Sequence, residues 1–96
     1  MYYPEELIEE VRQKNDIVDV ISGYVRIKKK GSNYVGLCPF HNEKTGSFMV
    51  SRNKQIYKCF GCGAGGNVFT FVMEYENFTF PEALKQLAER TGVKLP

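Results

Sequence analysis

The chain has 96 residues, with 13 Lys or Arg against 11 Asp or Glu and a formal net charge of +2. A domain this small buries a lesser share of its surface than a large one and often relies on a metal or disulfide staple. No apolar run approaches the roughly 18 residues of a membrane span. The segment with Glu5, Glu6, Glu9 and Glu10 lacks the basic and apolar regions of a signal peptide, so no membrane association and a cytoplasmic location are expected.

Pro4, Glu5 and Glu6 suit a helix N-terminus, because proline needs no amide partner there and carboxylates favour the positive end of the dipole. Leu7, Ile8 and Val11 then form one apolar stripe, which predicts a short helix to about Lys14. Asp16 with Asp19 can cap a second helix, in which Ile17, Val18, Val20 and Ile21 face the core before Gly23 ends it.

From Tyr24 to Lys58 the pattern changes to short β-type runs. Tyr24 to Lys29, Asn33 to Leu37, Ser47 to Ser51 and Gln55 to Cys59 read as strands, with Lys30-Gly31-Ser32 and Arg52-Asn53-Lys54 as hairpin turns. Alternation puts Phe48 and Val50 on one face, with Ser47, Met49 and Ser51 on the other, and leaves open which face meets the helices.

Asn67 can cap a helix carrying Val68, Phe69, Phe71, Val72 and Met73. Thr79 and Glu82 match a capping box, Pro81 sits in the first turn, and Ala83, Leu84, Leu87 and Ala88 form a stripe that stops at Gly92. Phe69, Phe71, Phe78 and Phe80 read as core. The expected fold is therefore α+β: a small antiparallel sheet of four to five strands in a core of about 24–66, flanked by helices at about 4–22 and 67–91. Residues 1–96 form a single domain in this reading.

Three cysteines cannot all pair with one another, whereas adding the only histidine completes a tetrad. Cys38-Pro39-Phe40-His41 and Cys59-Phe60-Gly61-Cys62 each hold two residues between ligands, and 17 residues separate the pairs. A structural zinc takes four ligands at tetrahedral corners from thiolates and imidazoles, and two tight turns joined by a β-excursion supply that geometry, the zinc ribbon. Gly61 and Gly63 fit such knuckles, which want positive φ and close backbone approach. Cys38, His41, Cys59 and Cys62 are thus the expected ligands of one structural Zn²⁺, with no open position for catalysis. A redox role for Cys59-Phe60-Gly61-Cys62 needs a thioredoxin-like βαβ context, and none is evident.

Charge is segregated along the chain. Between residues 22 and 60 lie Arg26, Lys28, Lys29, Lys30, Lys44, Arg52, Lys54 and Lys58 against Glu43 alone, which points to a polyanion-binding centre between acidic flanks.

Lys30-Gly31-Ser32-Asn33-Tyr34, Gly36-Leu37-Cys38-Pro39-Phe40-His41, Glu43-Lys44-Thr45 and Tyr57-Lys58-Cys59-Phe60-Gly61-Cys62-Gly63 together resemble the zinc-binding N-terminal domain of bacterial DNA primase, the CHC2-type zinc ribbon. Asp16 to Ile21 and Phe80 to Leu84 look like that family too, so the resemblance covers nearly the whole chain. One departure is Gly46, where the family usually has proline before Ser-Phe; it loosens the turn leading to Ser47 and Phe48.

The resemblance implies a module that binds single-stranded DNA template and helps to choose the start site for RNA primers. It also implies a polymerising domain, acting in cis or in trans, that carries the catalytic carboxylates and Mg²⁺, and a replicative helicase met through the full-length enzyme. The fragment alone is expected to be a monomer without polymerising activity.

Single strands are held by basic grooves and by aromatic rings on which bases stack. Lys28, Lys29, Lys30, Arg52, Lys54 and Lys58, interleaved with Tyr34, Phe48 and Tyr57, are the DNA candidates on strands and hairpin tips. The resemblance adds Lys44 and the exposed side of the knuckles, and Asn33 and Ser47 can offer base-edge hydrogen bonds. The competing reading is a protein-interaction zinc ribbon that docks an acidic partner and never meets DNA.

Overall fold

The computed structural model describes residues 3–42 and 46–96. Helix α1 (Glu5–Lys14) starts after Pro4, whose extended backbone lets its carbonyl accept from the N–H groups of Leu7 and Ile8. Helix α2 (Ile17–Ser22) is capped by the Asp16 carboxylate, which accepts from Val18 and Asp19 N–H. Five strands follow: β1 (Ile27–Lys30), β2 (Asn33–Gly36), β3 (Phe48–Ser51), β4 (Ile56–Cys59) and β5 (Gly65–Gly66). They pair antiparallel in chain order, an up-and-down meander. Helix α3 (Val68–Glu76) is capped by Asn67, and α4 (Phe80–Thr91) opens on the full Thr79–Glu82 capping box.

The first strand begins three residues later than the sequence predicts. Tyr24 and Val25 both donate their N–H to the Ile21 carbonyl, so the chain stays wound past the end of α2 before it extends. The two-residue β5 had no side-chain alternation to announce it. Gly66 nonetheless sits where a β-carbon would come within 2.6 Å of Thr70, at a φ of 153°, so the close approach of β5 to α3 requires glycine.

Register sorts the sheet into two unlike faces. On the inner face Tyr34, Val50 and Tyr57 lie opposite one another, with Gly36, Phe48 and Cys59 in the next row. Helices α2 and α3 pack on this side, and Phe48, Val50, Tyr57 and Cys59 are buried. On the outer face one row reads Lys28, Val35, Met49, Lys58, and the next reads Lys30, Asn33, Ser51, Ile56. Here burial along β4 alternates between exposed Ile56 and Lys58 and buried Tyr57 and Cys59.

The remaining helices close the inner side. Helix α4 packs on α1 and α3 through Ala83, Leu84, Leu87 and Ala88, all buried. Asn15, fully buried just after α1, donates from Nδ2 to the carbonyls of Val11 (2.8 Å) and Leu87 (3.1 Å) and accepts from Arg90 at Oδ1 (3.1 Å). A buried amide with this many partners costs little, and it fixes where α1 ends against α4.

Candidate metal centre and the bare sheet face

Cys38 follows β2, His41 lies three residues on, Cys59 ends β4 and Cys62 closes the turn before β5. Antiparallel pairing of β2, β3 and β4 brings the two turns to the same end of the sheet, and the four ligand atoms lie within 4.8 Å of one another. Cys38 Sγ is 3.8 Å from Cys62 Sγ, and His41 Nδ1 is 3.8 Å from Cys59 Sγ. A zinc tetrahedron with bonds of about 2.3 Å to sulfur has S–S edges of about 3.8 Å. A disulfide would instead need sulfurs about 2.05 Å apart. The donor set and its spacing fit zinc, and these four residues are positioned to bind one ion.

The thiols are tuned in opposite directions. Burial pushes Cys38 up to about 12. Burial acts on Cys59 as well, but the N–H groups of Cys62 and Gly61 and the neighbouring Cys38 and Cys62 thiols together hold that thiol below its ordinary value. Backbone bonds of the knuckle kind include Phe40 N–H to Cys38 Sγ (3.4 Å) and Gly61 N–H to Cys59 Sγ (3.3 Å). Each N–H stabilises thiolate, and a divalent cation supplies the compensation that closely packed thiolates need. When zinc is bound, three thiolates and a neutral imidazole give the centre a net charge of about −1, with every corner filled by protein. The ion's work is structural.

The two knuckles aim their aromatics oppositely. Phe40, two residues after Cys38, turns inward onto Phe71 (5.5 Å between centroids), Tyr57 (6.1 Å) and Phe48 (6.5 Å). Phe60, one residue after Cys59, continues the outward side of β4: its N–H donates to the Ser47 carbonyl (3.0 Å), extending the β3–β4 ladder by one step. The residue is 64% exposed. Gly63 holds the left-handed φ of 79° expected of a knuckle. Gly61 is not left-handed, and its part is the N–H donated to Cys59 Sγ.

Among the expected DNA residues, Lys28, Lys30, Lys58 and Asn33 share the outer face, with Lys54 at the β3–β4 hairpin beside them. Lys29 lies in the inward-facing row at the exposed edge strand. Ser47 is half-buried beside Phe60, and Lys44 lies outside the described residues.

Two aromatics are corrected. Phe48 and Tyr57, at 0% and 1% exposure, belong to the core cluster with Phe71 and offer no ring to a base. Tyr34 and Arg52 engage each other, the guanidinium lying 5.3 Å from the ring centroid, while Arg52 also pairs with Asp16 (3.2 Å) and Asp19 (3.3 Å). Among the described residues the exposed aromatic of the outer face is Phe60, and the signal for it is its place in period two with Ile56 and Lys58.

A sheet closed at one end by two Cys/His knuckles defines a zinc ribbon, here built into an α+β domain. Residues 3–96 match the family described as CHC2 zinc finger, and the chain belongs to that family. It is 61% identical over 93 residues to a DNA primase of Halalkalibacterium halodurans, covering 97% of this chain and 16% of that protein. It is 62% identical over 92 residues to a DNA primase of Geobacillus stearothermophilus, covering 96% and 15% respectively. The zinc-binding and RNA polymerase domains of the Aquifex aeolicus primase superpose with a TM-score of 0.90 at 53% identity, over 94% of this chain and 22% of that one. The chain thus spans about a sixth of the length of these curated relatives.

Proposed function

We propose that this chain is the template-binding module of a primase, holding single-stranded DNA on the outer sheet face and helping to select where an RNA primer starts. The observation that carries the reading is the asymmetry of the sheet. One face is filled by helices; the other carries Lys28, Lys30 and Lys58, has Lys54 at its edge, and among the described residues no acidic side chain lies on any strand. Lysines on a surface of this kind follow phosphates, while Asn33 and Ser51 between them offer donors and acceptors to base edges.

A patch with so few contacts binds weakly by itself. Tethering to a polymerising domain raises the effective concentration of template, in cis or in trans, and a replicative helicase is the source of single strand. The polymerising carboxylates are assigned to that other domain, so this segment is expected to hold template without extending a primer.

Titration of the zinc-loaded chain with single-stranded oligonucleotides at several salt concentrations tests the reading. Binding should saturate and fall with salt, and Lys30→Ala or Lys54→Ala should each flatten the slope by about one unit per lost phosphate contact. Absence of saturable, salt-sensitive binding would instead favour a ribbon that docks an acidic protein.

A further inference from the structure

We propose that a groove on the outer face seats one unpaired nucleobase stacked on Phe60, the ring that the second zinc knuckle presents. The proposal rests on the template-binding reading and says where a base goes.

The groove has a volume of about 380 Å³ and runs from the β3–β4 hairpin to the knuckle. Met49 and Ile56 line its apolar part, Asn33 and Ser51 its polar part, and Phe60 stands at the knuckle end. Phe60 is the most exposed large apolar side chain among the described residues, ahead of Leu37 at 52%. No other aromatic ring among those residues stacks on it, and Lys58 Nζ lies 5.5 Å from its centroid.

An exposed phenylalanine is normally free to wander, but this one is bracketed by ligands Cys59 and Cys62. Its own N–H bonds the Ser47 carbonyl (3.0 Å), and the next N–H bonds Cys59 Sγ (3.3 Å). The backbone is therefore fixed before a ligand arrives, so only the ring's own rotamer remains to be ordered when a base stacks on it.

Charge decides what the ring receives. Lys54 and Lys58 line the groove, Lys28 and Lys30 lie on the same sheet face, and no carboxylate is among its lining residues, so a flat apolar occupant that carries negative charge beside its ring is favoured. A nucleotide in a single strand has that form, and bases inside a duplex are stacked on their neighbours and out of reach.

The chain contains no tryptophan, so Phe60→Trp installs a sole indole reporter at the site. Zinc-loaded wild type, Phe60→Ala and Phe60→Trp are titrated with a short single-stranded oligonucleotide, its abasic counterpart of equal length, and a duplex. Phe60→Ala should weaken single-strand binding roughly 5- to 150-fold, the value of one lost stack, at unchanged zinc content and thermal midpoint. Its affinity for the abasic strand should match wild type. Phe60→Trp should bind as wild type does, with emission quenched by the single strand and not by the abasic strand or the duplex.

If wild type binds single strands with normal salt dependence while Phe60→Ala equals it and the indole is not quenched, the stacking site is overturned and the template-binding reading stands. If wild type binds no single strand at all, the template-binding reading itself fails. Quenching by an acidic peptide in place of DNA would overturn the proposal in favour of a protein partner.

Discussion

At the tip of the β3–β4 hairpin, Arg52 spends its charge on its own molecule. It pairs with Asp16 and Asp19 and covers the Tyr34 ring, while Gln55, held at a left-handed φ of 55°, donates to Asp16 Oδ1 (2.8 Å) and accepts from Ile17 N–H (2.9 Å). Together these side chains fasten the hairpin to the start of α2. Arg52→Ala is therefore expected to lower the thermal midpoint while leaving the salt slope of DNA binding intact, the reverse of Lys54→Ala, and an altered slope would return Arg52 to the phosphate-binding set. Asp16 adds a pH signature. Burial raises its carboxyl, but Gln55, the Asp19 N–H and Arg52 together hold it below its ordinary 3.8. A depressed carboxylate stabilises the fold above its unfolded pKa, and that contribution fades as pH falls through the folded one. Wild type should thus exceed Asp16→Asn in urea midpoint by a constant margin near neutrality and by a shrinking one below about pH 4. Acid strips zinc from both proteins, so the difference between them is the quantity to read. None of this was legible in the sequence, where Arg52 is one cation in a basic stretch; only the fold brings residues 16 and 52 together.

Whole elements were more legible, because caps and apolar periods are local. Asp16, Asn67 and the Thr79–Glu82 box mark three helix starts where the sequence placed them, and Gly92, at a φ of 74°, ends α4 as expected. Strand alternation also separated Phe48 and Val50 from Met49 and Ser51 correctly. It could not say which of the two faces the helices cover, and that missing fact made Phe48 and Tyr57 look available for stacking while Phe60 went unnoticed. Asn15 escaped for a similar reason: a polar residue between two helices reads as a linker, yet it is buried and joins the end of α1 to Leu87 and Arg90 on α4. Asn15→Leu should cost about 1–3 kcal/mol by leaving Arg90 and buried carbonyls without their partner. Chemical denaturation would register this as a lower midpoint at unchanged zinc stoichiometry, whereas a neutral result would mean that α1 docks by its apolar stripe alone.

Across the molecule, zinc and the aromatic core act as one unit. The first knuckle sends Phe40 into the rings of Phe48, Tyr57 and Phe71, so the metal end of the sheet and helix α3 share a single packed cluster. Zinc sites in small peptides contribute on the order of 10 kcal/mol, comparable to the roughly 5–15 kcal/mol that an entire domain has in hand. Removing the ion leaves Cys38 and Cys59 buried without their counter-charge and frees Phe40 to leave the cluster. Chelation is therefore expected to unfold β2–β4 together with α3 in one step. Helices α1 and α4, tied through Asn15 away from the knuckles, should not hold independently, because Leu84 and Leu87 lose the α3 surface against which α4 packs. Limited trypsin digestion with and without chelator reads the outcome directly. The lysines of β1 and β4 should become rapid cleavage sites only after chelation, and equal protease resistance in both states would show that the apolar core carries the fold without the metal.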